Sequence, residues 1–203
     1  MTLLIDTDAF CKLGLADLLT ESALLLGLKL ENCARLPALP YMLRRGSLFK
    51  RLGPTACQKL LHIARSMQSV PQPGKTWLEK LTPIDNIDPG EAQLFASGAD
   101  FRFLVLSADK RAMRELKKVE GMPEALKGKI VVLESILLAL CTSLGTGEVQ
   151  RRVSPIVSLD TMLSVCFSSG NNNPMECLQS YYRNLRTELA PLVLWDPNPG
   201  VTE

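Results

Sequence analysis

Histidine is nearly missing from this chain: His62 is the only one in 203 residues. That removes Ser-His-Asp and Cys-His catalysis, and with them most histidine-based metal sites. Aromatic residues make up only 5%, so no stacking platform for single-stranded bases stands out. The six cysteines (Cys11, Cys33, Cys57, Cys141, Cys166 and Cys177) include no C-x-x-C pair and match no zinc spacing. Several sit among apolar neighbours, where a free thiol behaves as a small core residue. They read as reduced thiols of a cytoplasmic protein. Long apolar runs are lacking too. Ile130 to Cys141 is broken by Glu134 and is too short to span a bilayer, so no membrane is expected among the partners. Asp6 and Asp8 interrupt the stretch where a secretory signal needs unbroken apolar residues.

Acidic residues are missing from one long window. Asn32 to Leu78 holds none, yet carries Arg35, Arg44, Arg45, Lys50, Arg51, Lys59, Arg65 and Lys75, a charge of +8. The rest of the chain carries −6, from 15 basic and 21 acidic residues, which gives the formal net charge of +2. Such asymmetry creates a local positive field that attracts a polyanion. A solvated surface that lacks acids reads equally well at this point.

Hydrophobic residues at 46% supply a real core for one domain with an extension. Thr2 to Ile5, Phe103 to Leu106 and Ile130 to Leu133 are short apolar runs expected to be buried strands. Helices are expected from Ala9 past Leu19, over Ala38 to Arg45, and from Pro54 to Met67. Ser69 to Gly74 reads as a loop. Asp88-Pro89-Gly90-Glu91 is a helix start, with an Asp cap, Pro at the first position and Glu at the third; that helix is expected to stop near Gly98. Lys110 to Val119 and Ser135 to Leu144 read as further helices. Strands alternating with helices predict an α/β fold, a parallel sheet covered on both faces, over residues 1–144. Residues 145–203 are expected to form a helical C-terminal extension away from the acidic edge, with starts at Ser154-Pro155 and Asn173-Pro174 and a polar loop from Ser168 to Asn173.

Three acids stand where this architecture puts a site. Asp6 ends the first strand, Asp109 follows the Phe103–Leu106 strand, and Glu91 opens the helix leading into that strand. Ligands of open parallel sheets bind beyond the carboxyl ends of the strands, so all three are expected at one edge. Clustered carboxylates repel unless a cation neutralises them, and hard divalent ions with oxygen ligands do this well. Asp8, Asp88 and Ser107 lie close in sequence as outer-shell residues. Each acid also has an ordinary structural use. Asp6 can bind a loop amide, Glu91 can complete a capping box with Asp88, and Asp109 can cap the next helix.

The opening L-L-I-D-T-D-A-F, the stretch D-P-G-E-A-Q-L-F-A and the stretch L-V-L-S-A-D-K-R-A-M, in that order, resemble the acid-bearing motifs of PIN-domain proteins. The resemblance covers about residues 1–133. It implies a PIN-like three-layer α/β/α fold and a Mg²⁺- or Mn²⁺-dependent endoribonuclease, often the toxin of a toxin–antitoxin pair. Asp6, Glu91 and Asp109 match the family's catalytic and metal-binding acids. Expected partners are RNA, an antitoxin protein and a second copy of the chain. Arg44, Arg45, Lys50 and Arg51, together with Lys110 and Arg111, are the expected nucleic-acid contacts. The sequence departs from the family in one respect: the acid usual on an early helix has no match, because that region falls in the acid-free window. This keeps a second expectation open, a degraded PIN-like module that binds RNA or protein without cleaving. A phosphatase or another small-substrate hydrolase is a third, since fold does not fix function.

Overall fold

Leu3, Leu4 and Ile5 are all buried, without the alternation of a half-exposed strand, so this run must be covered on both faces. In the computed structural model, which describes residues 1–168, 170–171 and 173–197, it is the central strand β1 (Leu3–Ile5). It lies in a five-stranded sheet with β2 (Cys33–Arg35), β3 (Gln68–Ser69), β4 (Leu104–Ser107) and β5 (Ile130–Val132). Every pairing is parallel and the order is β3-β2-β1-β4-β5. The chain winds outward from β1 to one edge, then crosses back to lay β4 on the other side. The winding direction therefore reverses between β1 and β4, and a crevice opens at such a switch point.

Twelve α-helices are described: α1 (Thr7–Leu15), α2 (Leu19–Leu25), α3 (Leu39–Arg44), α4 (Ser47–Ser66), α5 (Lys75–Leu81), α6 (Pro89–Phe101), α7 (Lys110–Leu116), α8 (Met122–Ala125), α9 (Leu133–Leu144), α10 (Thr146–Val153), α11 (Thr161–Cys166) and α12 (Pro174–Leu189). Helices cover the sheet to give the expected α/β architecture with three layers. Close approach of α6 to the sheet depends on Gly98, where an added Cβ would lie 2.4 Å from the Val105 side chain. None of the described helices is long and apolar enough to cross a membrane.

Several expectations need revision. β2 and β3 were not foreseen: they are three and two residues long, and Gln68 and Ser69 are exposed, so they carry no apolar signature. The first helix breaks after Leu15, where Asp17 takes φ 55, and α2 starts separately. α4 begins at Ser47, seven residues before Pro54. Gly53, at φ 79, kinks it, so Pro54 opens its second half rather than the whole helix. Ser154-Pro155 opens a 3-10 segment, and α11 is capped by Asp160 instead.

Residues 145–197 share one continuous core with the sheet: Val149, Leu163, Leu178 and Leu185 are buried in the same cluster as Leu3 and Val131. The extension is not helical throughout. Val193 accepts a hydrogen bond from Gly128 N (2.8 Å), Leu194 bridges Ile130, and Trp195 N donates to Ile130 O (2.8 Å), adding a strand-like segment beside β5. Positions 169 and 172 of the expected Ser168–Asn173 loop, and 198–203 of the extension, lie outside the described residues.

Candidate active site

β1 hands the chain directly to Asp6, whose amide continues the ladder by donating to Leu106 O at 2.9 Å. The Asp6 side chain is 5% exposed and both its oxygens are engaged. Oδ1 accepts from Ala9 N (2.7 Å), capping α1, and Oδ2 accepts from Ala108 N (2.6 Å), in the turn after β4. One carboxylate thus ties the ends of the two strands that flank the switch point. Burial pushes its pKa above the ordinary value, against the lowering effect of bonds from Ser107 and the two amides.

Glu91 and Asp109 approach from opposite sides of the crevice. The capping box at the start of α6 is complete: Glu91 N donates to Asp88 Oδ1 and Asp88 N to Glu91 Oε2, both at 2.8 Å. Asp109 caps α7, its Oδ1 accepting from Arg111 N (2.8 Å) and Ala112 N (3.0 Å). Both residues line the same cavity, and the charge of Asp109 acts on Glu91. Burial, then the charges of Asp88 and Asp109, push Glu91 up to about 7. Asp109 moves the other way. Burial alone would raise it, but the amides of Ala112 and Arg111 and the Arg111 guanidinium hold it below the usual range. The pair therefore favours one proton, kept on Glu91.

Asp6, Asp8, Asp88, Glu91 and Asp109 all line one cavity of about 490 Å³, which Arg51 also borders. Its opposite wall comes from α3 and α4, through Met42, Ser47 and Leu48. Arg44, Arg45 and Lys50 are exposed on this hairpin, and among the described residues none of them forms an ion pair. Arg51 is the exception, 4.0 Å from Asp8. Of the basic window, Arg51 reaches the acidic cavity, while Lys59 and Arg65 lie at another surface beside His62. Each ordinary structural use foreseen for Asp6, Glu91 and Asp109 is also present. Capping occupies only part of a carboxylate's roughly four lone-pair sites, so it does not remove these acids from ligand chemistry. Among the described residues, no three His, Cys, Asp or Glu side chains converge tightly enough to form a ready metal-ligand group.

Ser107 is fully buried; its Oγ accepts from Asp109 N at 3.2 Å and also bonds Asp6. It orients two acids rather than facing the cavity. Lys110 and Arg111 lie on the far side of Asp109. Lys110 pairs with buried Glu134 (2.5 Å) and sits over the Tyr181 ring, while Arg111 reaches Asp109 Oδ2 (3.3 Å). Lys110 is thus committed to Glu134, whereas Arg111 stays largely exposed at 77%.

Three residues escaped the sequence reading. Lys12 is 5% exposed and joins Asp8 (2.6 Å) to Asp160, which brings the extension up to the acidic edge. Burial disfavours its charge, but Asp160 and Asp8 outweigh this and hold its pKa above the ordinary value. A signal for Lys12 existed, since Asp8 and Lys12 are four apart on one helix. Asp160 and Glu134 had none: Asp160 is 148 residues from Lys12, and nothing local marks either residue as buried. Comparison of the chain with family models, with curated proteins and with solved structures gives no match.

Proposed function

We propose that the protein is a PIN-like, metal-dependent phosphodiester hydrolase acting on RNA, with Asp6, Glu91 and Asp109 as its acidic centre. The observation that carries this reading is the gathering of Asp6, Glu91 and Asp109 on one cavity at the switch point. Folding does not require it: either helix start would be served by a neutral amide or hydroxyl cap. Like charges held together at a cost, inside a cleft, mark functional sites more often than structural ones.

The oxygen donors on this cavity are of the kind a hard divalent cation takes: Asp6, Glu91 and Asp109 would have to draw together to hold Mg²⁺ or Mn²⁺, with Asp8 and Asp88 beside them and Ser107 orienting Asp6 and Asp109. Such an ion supplies a polarised phosphoryl oxygen and a water acidified toward neutrality. The protein's own residues do the rest. Asp6, pinned by two amides, fixes the spacing of the strand ends. Glu91, pushed up to about 7 in the metal-free chain, would give up its proton when it takes the cation, so binding should strengthen as pH rises. Arg51 at the cavity, with Arg44, Arg45 and Lys50 beside it, holds phosphates of a strand laid across the mouth.

Asp109→Asn tests the centre. Asn caps α7 about as well as Asp, so the fold should persist. Nuclease activity and thermal stabilisation by Mn²⁺ should both disappear, because a neutral amide is a poor ligand for a hard cation. A folded variant stabilised by Mn²⁺ like the parent overturns the assignment.

One observation favours a second reading, a binding module without catalysis: every acid of the centre is also occupied as a cap or latch. Replacing Arg44, Arg45, Lys50 and Arg51 with Ala separates binding from cleavage. Under both readings RNA affinity should fall for many sequences alike, and the salt slope should drop by about one per lost phosphate contact. Only under the first does the parent cleave what it binds. Unchanged affinity and slope remove RNA from both.

A further inference from the structure

The acidic centre leaves unused one close pair of reactive groups. Cys166 ends α11 and Cys177 lies in the first turns of α12. Their Sγ atoms are 2.9 Å apart. A disulfide requires about 2.05 Å, so the sulfurs stand roughly 1 Å from bonding distance. Among the described residues this is the only thiol–thiol hydrogen-bond contact, and the other four cysteines are buried.

The approach is built by the backbone rather than by the thiols. Asn171, in the turn between the helices, donates from Nδ2 to Cys166 O (2.9 Å) and Val165 O (3.3 Å), tying off the end of α11. Its Oδ1 accepts from Asn173 N (2.9 Å), and Asn173 caps α12 by accepting from Glu176 N. Asn171 and Asn173 thus tie the end of α11 to the start of α12, beside the two cysteines. The two thiols differ in access: Cys166 is buried and Cys177 is half-buried. Burial, the neighbouring Cys177 thiol and the charges of Glu134 and Asp160 all keep Cys166 protonated.

We propose that Cys166 and Cys177 form a redox modification site that accepts a low-molecular-weight disulfide as oxidant and closes a bond stapling α11 to α12. The more accessible Cys177, as thiolate, attacks one sulfur of the small disulfide; the mixed disulfide forms and one small thiolate leaves. Cys166 then attacks Sγ of Cys177, giving up its proton, and the second small thiolate leaves. The protein's two thiols are oxidised, the small disulfide is reduced to two thiols, and the two protein protons end on them. The staple would also brace Asp160, which caps α11 and grips Lys12 beside the cavity.

The full-length protein is equilibrated in mixtures of reduced and oxidised glutathione, acid-quenched, alkylated after denaturation and mapped by peptide mass spectrometry. The expected product is an intramolecular Cys166–Cys177 link, two hydrogens lighter, formed before any other cysteine reacts and reversed by dithiothreitol. The oxidised form should melt about 5 °C or more above the reduced form, because a closed loop restricts the unfolded chain. Cys177→Ser should lose both the link and the difference in melting temperature while folding normally. Cys33→Ser should keep both. Full alkylation of Cys166 and Cys177 across the glutathione series, or a stable mixed disulfide on Cys177 that Cys166 never resolves, overturns the proposal.

Discussion

Asp109 has charged neighbours on two flanks, and the two are built in opposite ways. Toward α6 it meets Glu91, a like charge, and Glu91 answers by holding its proton up to about pH 7. Toward α9, α11 and α12 the charges alternate: Lys110 with Glu134, and Lys12 with Asp8 and Asp160. Both flanks withdraw charge from water. On the second flank attraction repays part of that cost, and Lys12–Asp160 and Lys110–Glu134 tie distant segments together. On the first, the Arg111 guanidinium and two amides offset the charge of Asp109, but among the described residues no cation pairs with Glu91. The contrast separates a framework from a candidate site within a single sheet edge.

The framework flank breaks hardest. Lys12→Ala leaves the partly buried Asp160 and the Asp8 carboxylate without their shared cation. Removing one partner of a buried pair costs on the order of 3 kcal/mol. For a chain of this size that is a fall of about 6–12 °C in melting temperature. Lys12→Met keeps the stem and loses the charge. It should remain nearly as unstable as Lys12→Ala, and Lys12→Met with Asp160→Asn should recover much of the loss. If Lys12→Met alone restores stability, the stem's packing and not the ion pair holds this flank.

The like-charge flank responds to pH instead. Glu91 titrates near 7 in the folded chain and near 4.5 as a free carboxyl. The folded state therefore binds the proton more tightly. Without metal, the contribution of Glu91 to stability is fully present below about pH 4.5 and is lost as pH rises through about 7. Asp6, also raised, adds to that decline. Asp109 is lowered, so its contribution is present above its ordinary 3.8 and is lost only on acidification below it, outside this window. Glu91→Gln keeps the capping box and removes the titration. In the metal-free protein, urea midpoints on either side of the window should differ less in Glu91→Gln than in the parent. Identical pH slopes would mean that the repulsion is relieved by solvent.

How much of this was legible beforehand follows from the range of the interactions. The sheet's centre was readable because Leu3–Ile5 and Val105–Leu106 are short apolar runs, and the acids were readable because topology places strand ends together. The capping box was local and complete in four residues. Gln68–Ser69 was invisible because an exposed two-residue edge strand has no periodicity. The framework flank was invisible because burial turned ordinary surface letters, Lys12, Glu134 and Asp160, into interior pairs. Nor could sequence show that Asp6 spends one oxygen on each of two elements, since Ala108 N is 102 residues away.

The smallest expected effect sharpens the same comparison. Arg114 pairs with Glu188, joining α7 to α12 as Lys110 joins α7 to α9. Yet the two side chains of the first pair are 44% and 42% exposed, whereas Glu134 is 2% exposed. Water screens the exposed pair and already solvates both ends, so breaking it leaves no stranded charge. Exposed pairs contribute about 0.2–1 kcal/mol, and salt weakens them further. Arg114→Ala should therefore change stability by about 0.5 kcal/mol at low salt, measured by urea denaturation, and by less in high salt. Glu134→Ala should cost several times more and keep most of that cost in salt, because Lys110 then loses its buried partner. Equal losses for the two variants would mean that burial does not distinguish these pairs, and the division between framework and surface charge on α7 would fail.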